Sequence, residues 1–432
     1  MARHTGMGLA CRLAAFGLAA GLSAVATAQD RGSPWPLHVI DNTSRGADGV
    51  KLADANRDGL PDIVTGWEEG GVVRVYLNPG PAKAKAPWPA VTVGRAPNVE
   101  DALFVDLDGD GALDVVSCCE GNTRTMFVHW APREAASYLD AAQWKTEPLG
   151  DSIGRMQWMF CLPMQVDGRH GVDLVAAGKN AKAEVGWFQA PADPRNLRAW
   201  TWHPLSNAGW VMSLEAADMD GDGQADILLS DRNGPLRGCR WLRHPGPDKA
   251  ADGPWVNHFI GGQNREAMFL TLADLDRDGL PDVINAVKQR AGSGPLDFHR
   301  RKAARENAWE TFPIPAPENL GGGKGAAVGD VDLDGKPDVV LTCENAAAPK
   351  SGVLWLSYAG RPADAKWTAH EISGPRGTKY DLAVLLDLDG DGDLDVLTCE
   401  EAENLGVIWY ENPARTGPGA GANGKNGKGG PQ

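Results

Sequence analysis

The sequence predicts an all-β fold, a seven-bladed β-propeller built from four-stranded blades, and three observations predict it. A nine-residue acidic loop recurs along the chain at intervals of 52 to 59 residues. The same strand grammar flanks every copy of that loop. The composition, with 54 glycines, 30 prolines and 42% hydrophobic residues among 432, suits a turn-rich β chain.

The loops read DANRDGLPD (54–62), DLDGDGALD (106–114), DMDGDGQAD (218–226), DLDRDGLPD (274–282), DVDLDGKPD (330–338) and DLDGDGDLD (387–395). A degenerate copy, QVDGRHGVD (165–173), fills the one gap. Before each loop comes a small-residue strand such as SLEAA or AAVG. After it comes a β-branched strand such as IVTG, VVSC or VVLTC, and then a third such as GVVRVYLNP or GVIWYENP. A fourth begins at Trp35, Trp88, Trp144, Trp200, Trp255, Trp309 and Trp367, often as W-x-x-H. Four short strands in a repeat of this length make a propeller blade, and seven repeats make the ring. The small residues before each loop suit the innermost strand, where the blades crowd the axis.

The phase of the repeat predicts how the ring closes. The first tryptophan unit precedes the first acidic loop, and the last repeat stops after its third strand. WPLHVID (35–41) is therefore expected to be the outer strand of the seventh blade, which removes an exposed sheet edge. The propeller spans 35–413. Residues 1–28 read as a secretory signal, with Arg3 and Arg12, the apolar run LAAFGLAAGLSAVA and a cleavage site at Ala26-Thr27-Ala28. The chain is thus expected to be secreted or periplasmic. Residues 414–432 are Gly-rich and expected to be disordered. No run of about 20 apolar residues follows the leader, so no spanning helix is expected.

The loop chemistry points to calcium. In D-x-D-x-D-G-x-x-D the side chains at positions 1, 3 and 5 converge, Gly at position 6 allows the turn, position 7 offers a carbonyl and position 9 closes with a carboxylate. Hard oxygen ligands in that number select Ca²⁺ over Mg²⁺. Solvated acidic turns are the plainer alternative, but four unneutralised carboxylates in one turn repel. The expected ligands are Asp54, Asn56, Asp58, Leu60 and Asp62; Asp106, Asp108, Asp110, Ala112 and Asp114; Asp218, Asp220, Asp222, Gln224 and Asp226. The later loops offer Asp274, Asp276, Asp278, Leu280 and Asp282; Asp330, Asp332, Asp334, Lys336 and Asp338; Asp387, Asp389, Asp391, Asp393 and Asp395. The degenerate loop is expected to bind no calcium, with Arg169 lying between Asp167 and Asp173 as a built-in cation. These loops also explain the net charge of −15: at positions 1, 3, 5 and 9 the six intact copies hold 23 of the 57 acidic side chains. The acidity is mostly a cation count, and it argues against nucleic acid as a partner.

On these loops the chain resembles the FG-GAP/VCBS repeat family, which includes the propeller of integrin α-subunits and many secreted bacterial proteins. The resemblance spans residues 35–413. It implies a calcium-stabilised propeller whose ligand face lies opposite the metal loops. The Phe-Gly…Gly-Ala-Pro strings that name the family are nearly absent here, second strands ending VTGW, VSCC, LLSD or LTCE.

The remaining constellations are weaker. Most of the 16 tryptophans follow the repeat and are core. Trp67, Trp158 and Trp210 fall at the end of the ring away from the metal loops, either as a stacking platform for a sugar ring or as loop packing. No histidine is placed at that mouth, and no G-x-S-x-G, HExxH or phosphate loop occurs. Six cysteines outside the leader follow the repeat and are expected to be small buried thiols.

The sixth residue after each closing aspartate is Glu68, Glu120, Lys179, Arg232, Lys288, Glu344 and Glu401 in chain order. This predicts a dipolar face, basic on blades three to five, with Arg155, Arg265, Lys324, Tyr380 and Asp381 nearer the axis. It is either solvated surface charge or a polar mouth for an anionic carbohydrate. The functional expectation is a secreted calcium-binding module whose glycan or protein ligand sits at the face opposite the calcium loops. The expected ligand contacts are Lys179, Arg232, Lys288, Arg155, Arg265, Trp158, Trp210 and Tyr380. The alternative is a propeller-fold polysaccharide lyase acting on uronate-containing glycans, with arginine neutralising the uronate and Tyr380 accepting the proton.

Overall fold

The repeat grammar becomes seven antiparallel four-stranded sheets arranged around an axis. The computed structural model describes residues 31–288 and 294–415. The expected leader and residues 416–432 of the expected tail lie outside them. Among the described residues no helix is long and apolar enough to cross a membrane.

Blade 1 runs Ala47–Ala53, Asp62–Trp67, Val72–Tyr76 and Ala90–Arg95 from inner to outer strand. Blade 2 follows with Val99–Val105 as its inner strand, blade 3 with Gln157–Met164, blade 4 with Val211–Ala217, blade 5 with Ala267–Ala273 and blade 6 with Gly322–Gly329. Blade 7 is built from Val384–Leu386, Asp395–Glu400 and Gly406–Tyr410, and its outer strand is Leu37–Asp41 from the N-terminal side. That strand pairs with the last one in the register Leu37 to Tyr410 and His38 to Trp409.

Second strands are buried along their whole length, as in Asp62–Trp67, Asp226–Asp231 and Asp395–Glu400. The reason is that neighbouring blades cover both faces, so these strands carry continuous β-branched runs in place of alternation. The outer strands depend on aromatic pairs. The histidines of the W-x-x-H units stand directly across from third-strand tryptophans. Their rings stack, at 4.4 Å for His38 on Trp409, 4.2 Å for His258 on Trp241 and 3.8 Å for His370 on Trp355. The tryptophans that precede the outer strands donate their indole N–H to the turn upstream, Trp88 to the Ala84 carbonyl at 3.0 Å and Trp255 to Ala250 at 3.1 Å. The six cysteines among the described residues are all free and buried.

Two faces follow from this topology. The acidic loops join inner to second strands on one face, and the turns joining second to third strands lie on the other. Strands of three to eight residues, most of them five to seven, separate the faces by roughly 20 Å at about 3.3 Å per residue.

Candidate functional site

The acidic loops share one backbone. Positions 4 and 6 have positive φ in all seven copies, including Arg57 at 63° and Gly59 at 87° in the first. Within that turn the side chains accept the loop's own N–H groups, Asp54, Asp218 and Asp387 with both oxygens and Asp106, Asp274 and Asp330 with one. The position-1 carboxylate accepts the N–H of position 6, as Asp106 does from Gly111 and Asp330 from Gly335, both at 3.0 Å. Position 3 accepts from position 5, and position 5 from position 7. Other oxygens are left over in three loops. Asp106 Oδ1, Asp330 Oδ1, Asp389 Oδ1, Asp391 Oδ2 and Asp393 Oδ1 are buried with no hydrogen-bond partner. Carboxylate oxygens of Asp106, Asp108 and Asp110 lie within 4.8 Å of one another, as do those of Asp274, Asp276 and Asp282. Orphaned, converging hard oxygens fit a divalent cation.

The closing aspartate does more than the sequence suggested. One oxygen of Asp62 accepts the Ala55 N–H at 2.9 Å and the other accepts the Asn78 N–H at 2.8 Å, tying the loop to the end of the third strand. Asp226 and Asp395 make the same pair of bonds. Burial pushes the carboxyls of Asp114, Asp282 and Asp338 up to about 7, with the other loop aspartates adding to the rise. Arginines strap the loops from outside, a contact the repeat alone does not reveal: Arg243 reaches Asp220 at 2.6 Å, Arg300 reaches Asp276 at 2.5 Å, and Arg133 reaches Asp110 at 2.9 Å.

The degenerate loop corrects one expectation. Arg169 is exposed and makes no ion pair among the described residues. The amide nitrogen of Gln165 instead donates to the carbonyls of Arg169 and Gly171, the latter being the position-7 carbonyl. Asp167 accepts from the side chain of Gln189 on the third strand. A neutral amide occupies the centre of the turn because it brings donors without needing a counter-charge.

The opposite face carries an axial cavity of about 230 Å³, lined from all seven blades. Its inner wall draws on the sixth residue before the loop start in five blades, Asp48, Glu100, Met159, Met212 and Lys324, whereas the same position in blades 5 and 7, Met268 and Asp381, is buried away from it. In blades 1 to 6 the pairing between inner and second strands shifts register at or next to this position, for example between Val99 and Asp101 and between Gly323 and Gly325. A bulge re-aims the side chain it displaces. Neither hydrophobic period nor motif marks this position; counting back from the acidic loops would have found it.

The mouth differs from the expected dipole. Lys179 pairs with Glu100 at 3.0 Å and with Glu120, Arg232 with Glu266 at 2.5 Å, and Lys288 with Glu344 at 2.6 Å. The basic arc is therefore spent on carboxylates, mostly of neighbouring blades, and leaves an excess of acid, not a basic site for an anion. Trp210 does line the cavity, with Lys179 4.7 Å and Arg232 4.3 Å from its ring centroid. Four other expected contacts lie elsewhere. Trp158 is fully buried and donates to the Ser152 carbonyl at 3.0 Å, while Trp67 is likewise core and donates to Tyr76. Arg155 lies over Trp202 and pairs with Asp151. Arg265 turns to Asp297 on the third strand of blade 5. Tyr380 is fully buried, its hydroxyl bonded to Tyr410 and to the Arg376 carbonyl, and burial holds that hydroxyl above its ordinary pKa. It cannot accept a proton at the mouth, which removes the base named for a lyase.

Fold and loops together define the class: a seven-bladed propeller with acidic hairpin loops on one face. A family model, FG-GAP-like repeat, matches residues 54–117, 166–229 and 330–398, each stretch beginning at or within one of the loops and running through the next. Three FG-GAP-like repeats are thus present in the chain. No curated protein matches it. Among solved structures, a lectin of Agrocybe aegerita that recognises non-reducing terminal N-acetylglucosamine is 16% identical, over 76% of this chain and 80% of that one, with a TM-score of 0.43. BBS1N in complex with ARL6DN is 9% identical, over 87% of this chain and 96% of that one, with a TM-score of 0.49. Neither carries an argument about function here.

Proposed function

We propose that this chain is a calcium-binding propeller acting as a binding module, with a carbohydrate or protein ligand at the axial mouth opposite the metal loops. The observation that carries the reading is the set of bulged inner strands that turn side chains of blades 1 to 6 onto one cavity. Calcium would be held by positions 1, 3, 5 and 9 and the position-7 carbonyl of the six intact loops. Bound there, it neutralises carboxylates that otherwise repel, and so stiffens the hairpins that set the blade edges. The expected leader suits an exported protein, for which loop affinities of about 10⁻⁴ to 10⁻³ M are typical.

The test is a glycan and peptide array probed with the calcium-loaded chain and with the Met212→Trp variant, which fills the cavity. Binding by the parent and none by the variant, at comparable melting temperature, is the expected result. Binding that ignores the filled cavity places the ligand elsewhere and defeats the proposal. If Met212→Trp does not fold, Met159→Trp serves the same purpose from blade 3.

A further inference from the structure

Several groups facing the axial cavity lack the partner their chemistry requires. Carboxylate oxygens of Asp48, Glu68 and Glu100 lie within 4.8 Å of one another. Glu100 has Lys179, but the Glu68 carboxylate makes no hydrogen bond or ion pair among the described residues. Burial, then Glu100 and Glu401, pushes the Glu68 carboxyl up to about 7.

Lys324 is the opposite case. Its side chain is only 10% exposed and its nearest carboxylate oxygen, Asp381 Oδ1, is 3.9 Å away, too far for a hydrogen bond. The ammonium lines the cavity with its donors unused, held in the charged form by Asp381 and Asp48 although burial opposes it. A buried donor left unmade is costly, more so when charged. The same cavity also has an apolar wall. Met159 and Met212 line it, and Phe160 meets Phe269 edge to face at 5.7 Å between their centroids.

Most ligand chemistries satisfy only part of this. A metal ion answers the carboxylates but leaves the Lys324 ammonium without an acceptor. An anion answers Lys324 but meets the acid cluster. Neutral sugar hydroxyls bond to both poles yet leave the excess negative charge in place. A primary ammonium joined through one carbon to a carbonyl and an apolar side chain answers all three.

We infer that the axial cavity captures an α-ammonium group together with its adjacent carbonyl oxygen and an apolar side chain, the group shared by a free amino acid and a polypeptide N-terminus. The ammonium sits against Glu68 and Glu100, the carbonyl accepts from Lys324 Nζ, and the side chain lies on the methionine and phenylalanine wall. A cavity of about 230 Å³ is small for an organic ligand site and suits one residue, with a following chain leaving by the open mouth. The inference rests on the reading that this mouth is the ligand site.

The experiment is isothermal titration of the calcium-loaded full chain with Leu-Ala-Ala amide, its N-acetylated form, free leucine and glucosamine. The tripeptide amide is expected to bind, and acetylation, which removes the charge, to weaken it by about tenfold or more. Glu68→Gln and Lys324→Met are each expected to weaken the unacetylated peptide, with melting curves checking that the variants fold. Leucine binding as tightly as the peptide assigns a free amino acid as the source; tighter peptide binding assigns a chain terminus. Equal binding of acetylated and free peptide, or glucosamine binding while the peptides stay silent, overturns the inference. If Met212→Trp abolishes that binding, the mouth remains the ligand site. Silence of all four probes overturns the inference, whereas the array result stands or falls separately.

Discussion

The blade-3 loop and the six acidic loops have the same backbone and different interiors. Gly59 and its five counterparts take positive φ at position 6, and His170 adopts φ 55° at the same place. Asp173 ties its loop to the third strand through Val166 and Ala190, both at 2.8 Å, as Asp62 does in blade 1. What changes is the centre. Carboxylate oxygens converge in the intact loops, and the amide of Gln165 fills that space in blade 3. The turn is therefore held by hydrogen bonds between side chains and backbone, and the acids inside it are an addition that calls for a cation. Folding the loop and charging the loop are separable.

The largest test of that separation is calcium removal. Chelation is expected to lower the melting temperature strongly, since each site occupied a hundredfold above its dissociation constant contributes about 2.7 kcal/mol. Calorimetry that shows no change would remove calcium from the account. The chelated protein should also depend on pH. Asp114, Asp282 and Asp338 titrate near 7 when folded and near 4 when unfolded, so the folded state binds more protons between those values. Its stability is then highest in acid and falls as pH rises from about 4 to about 7. Calcium should flatten that slope.

Smaller effects divide staple from ligand. Asp173→Ala leaves two backbone N–H groups without acceptors and is expected to cost about 3 kcal/mol in denaturant unfolding, with or without calcium. A loss well under 1 kcal/mol would show that the closing aspartate is no staple. Restoring the acids in blade 3 with Q165D, R169D and H170G together should add one calcium to the stoichiometry read by titration. A count unchanged by that triple variant would mean that blade 3 lacks more than its ligands. Gln165→Ala is expected to cost about 1 kcal/mol, the net worth of a hydrogen bond. Arg169→Ala should stay within about 0.5 kcal/mol, as exposed residues do, and a larger loss would return that arginine to the loop interior.

Legibility followed locality. The acidic loops, the blade count and the outer strand supplied by Leu37–Asp41 could be read because each rests on a short motif repeated at one period. The W-x-x-H histidines were rightly placed on outer strands, but their stacking on third-strand tryptophans needs the register between two strands. Trp158 and Tyr380 were misjudged for a related reason: each stands near a turn in the chain, yet neighbouring strands close over it. Lys179, Arg232 and Lys288 looked like a basic arc because their partners, Glu100, Glu266 and Glu344, come from distant positions in the chain.

By itself the sequence determined the architecture and the places where cations can sit, because a nine-residue loop carries its own turn, its own staple and its own ligands. Only the tertiary structure decided what the mouth offers. The axial cavity draws Asp48, Glu100, Met159, Met212 and Lys324 from the same position of five different blades. Bulges aim most of them, and their charges are set by residues more than fifty positions away. Which of those charges is neutralised and which is left for a ligand is a property of the closed ring.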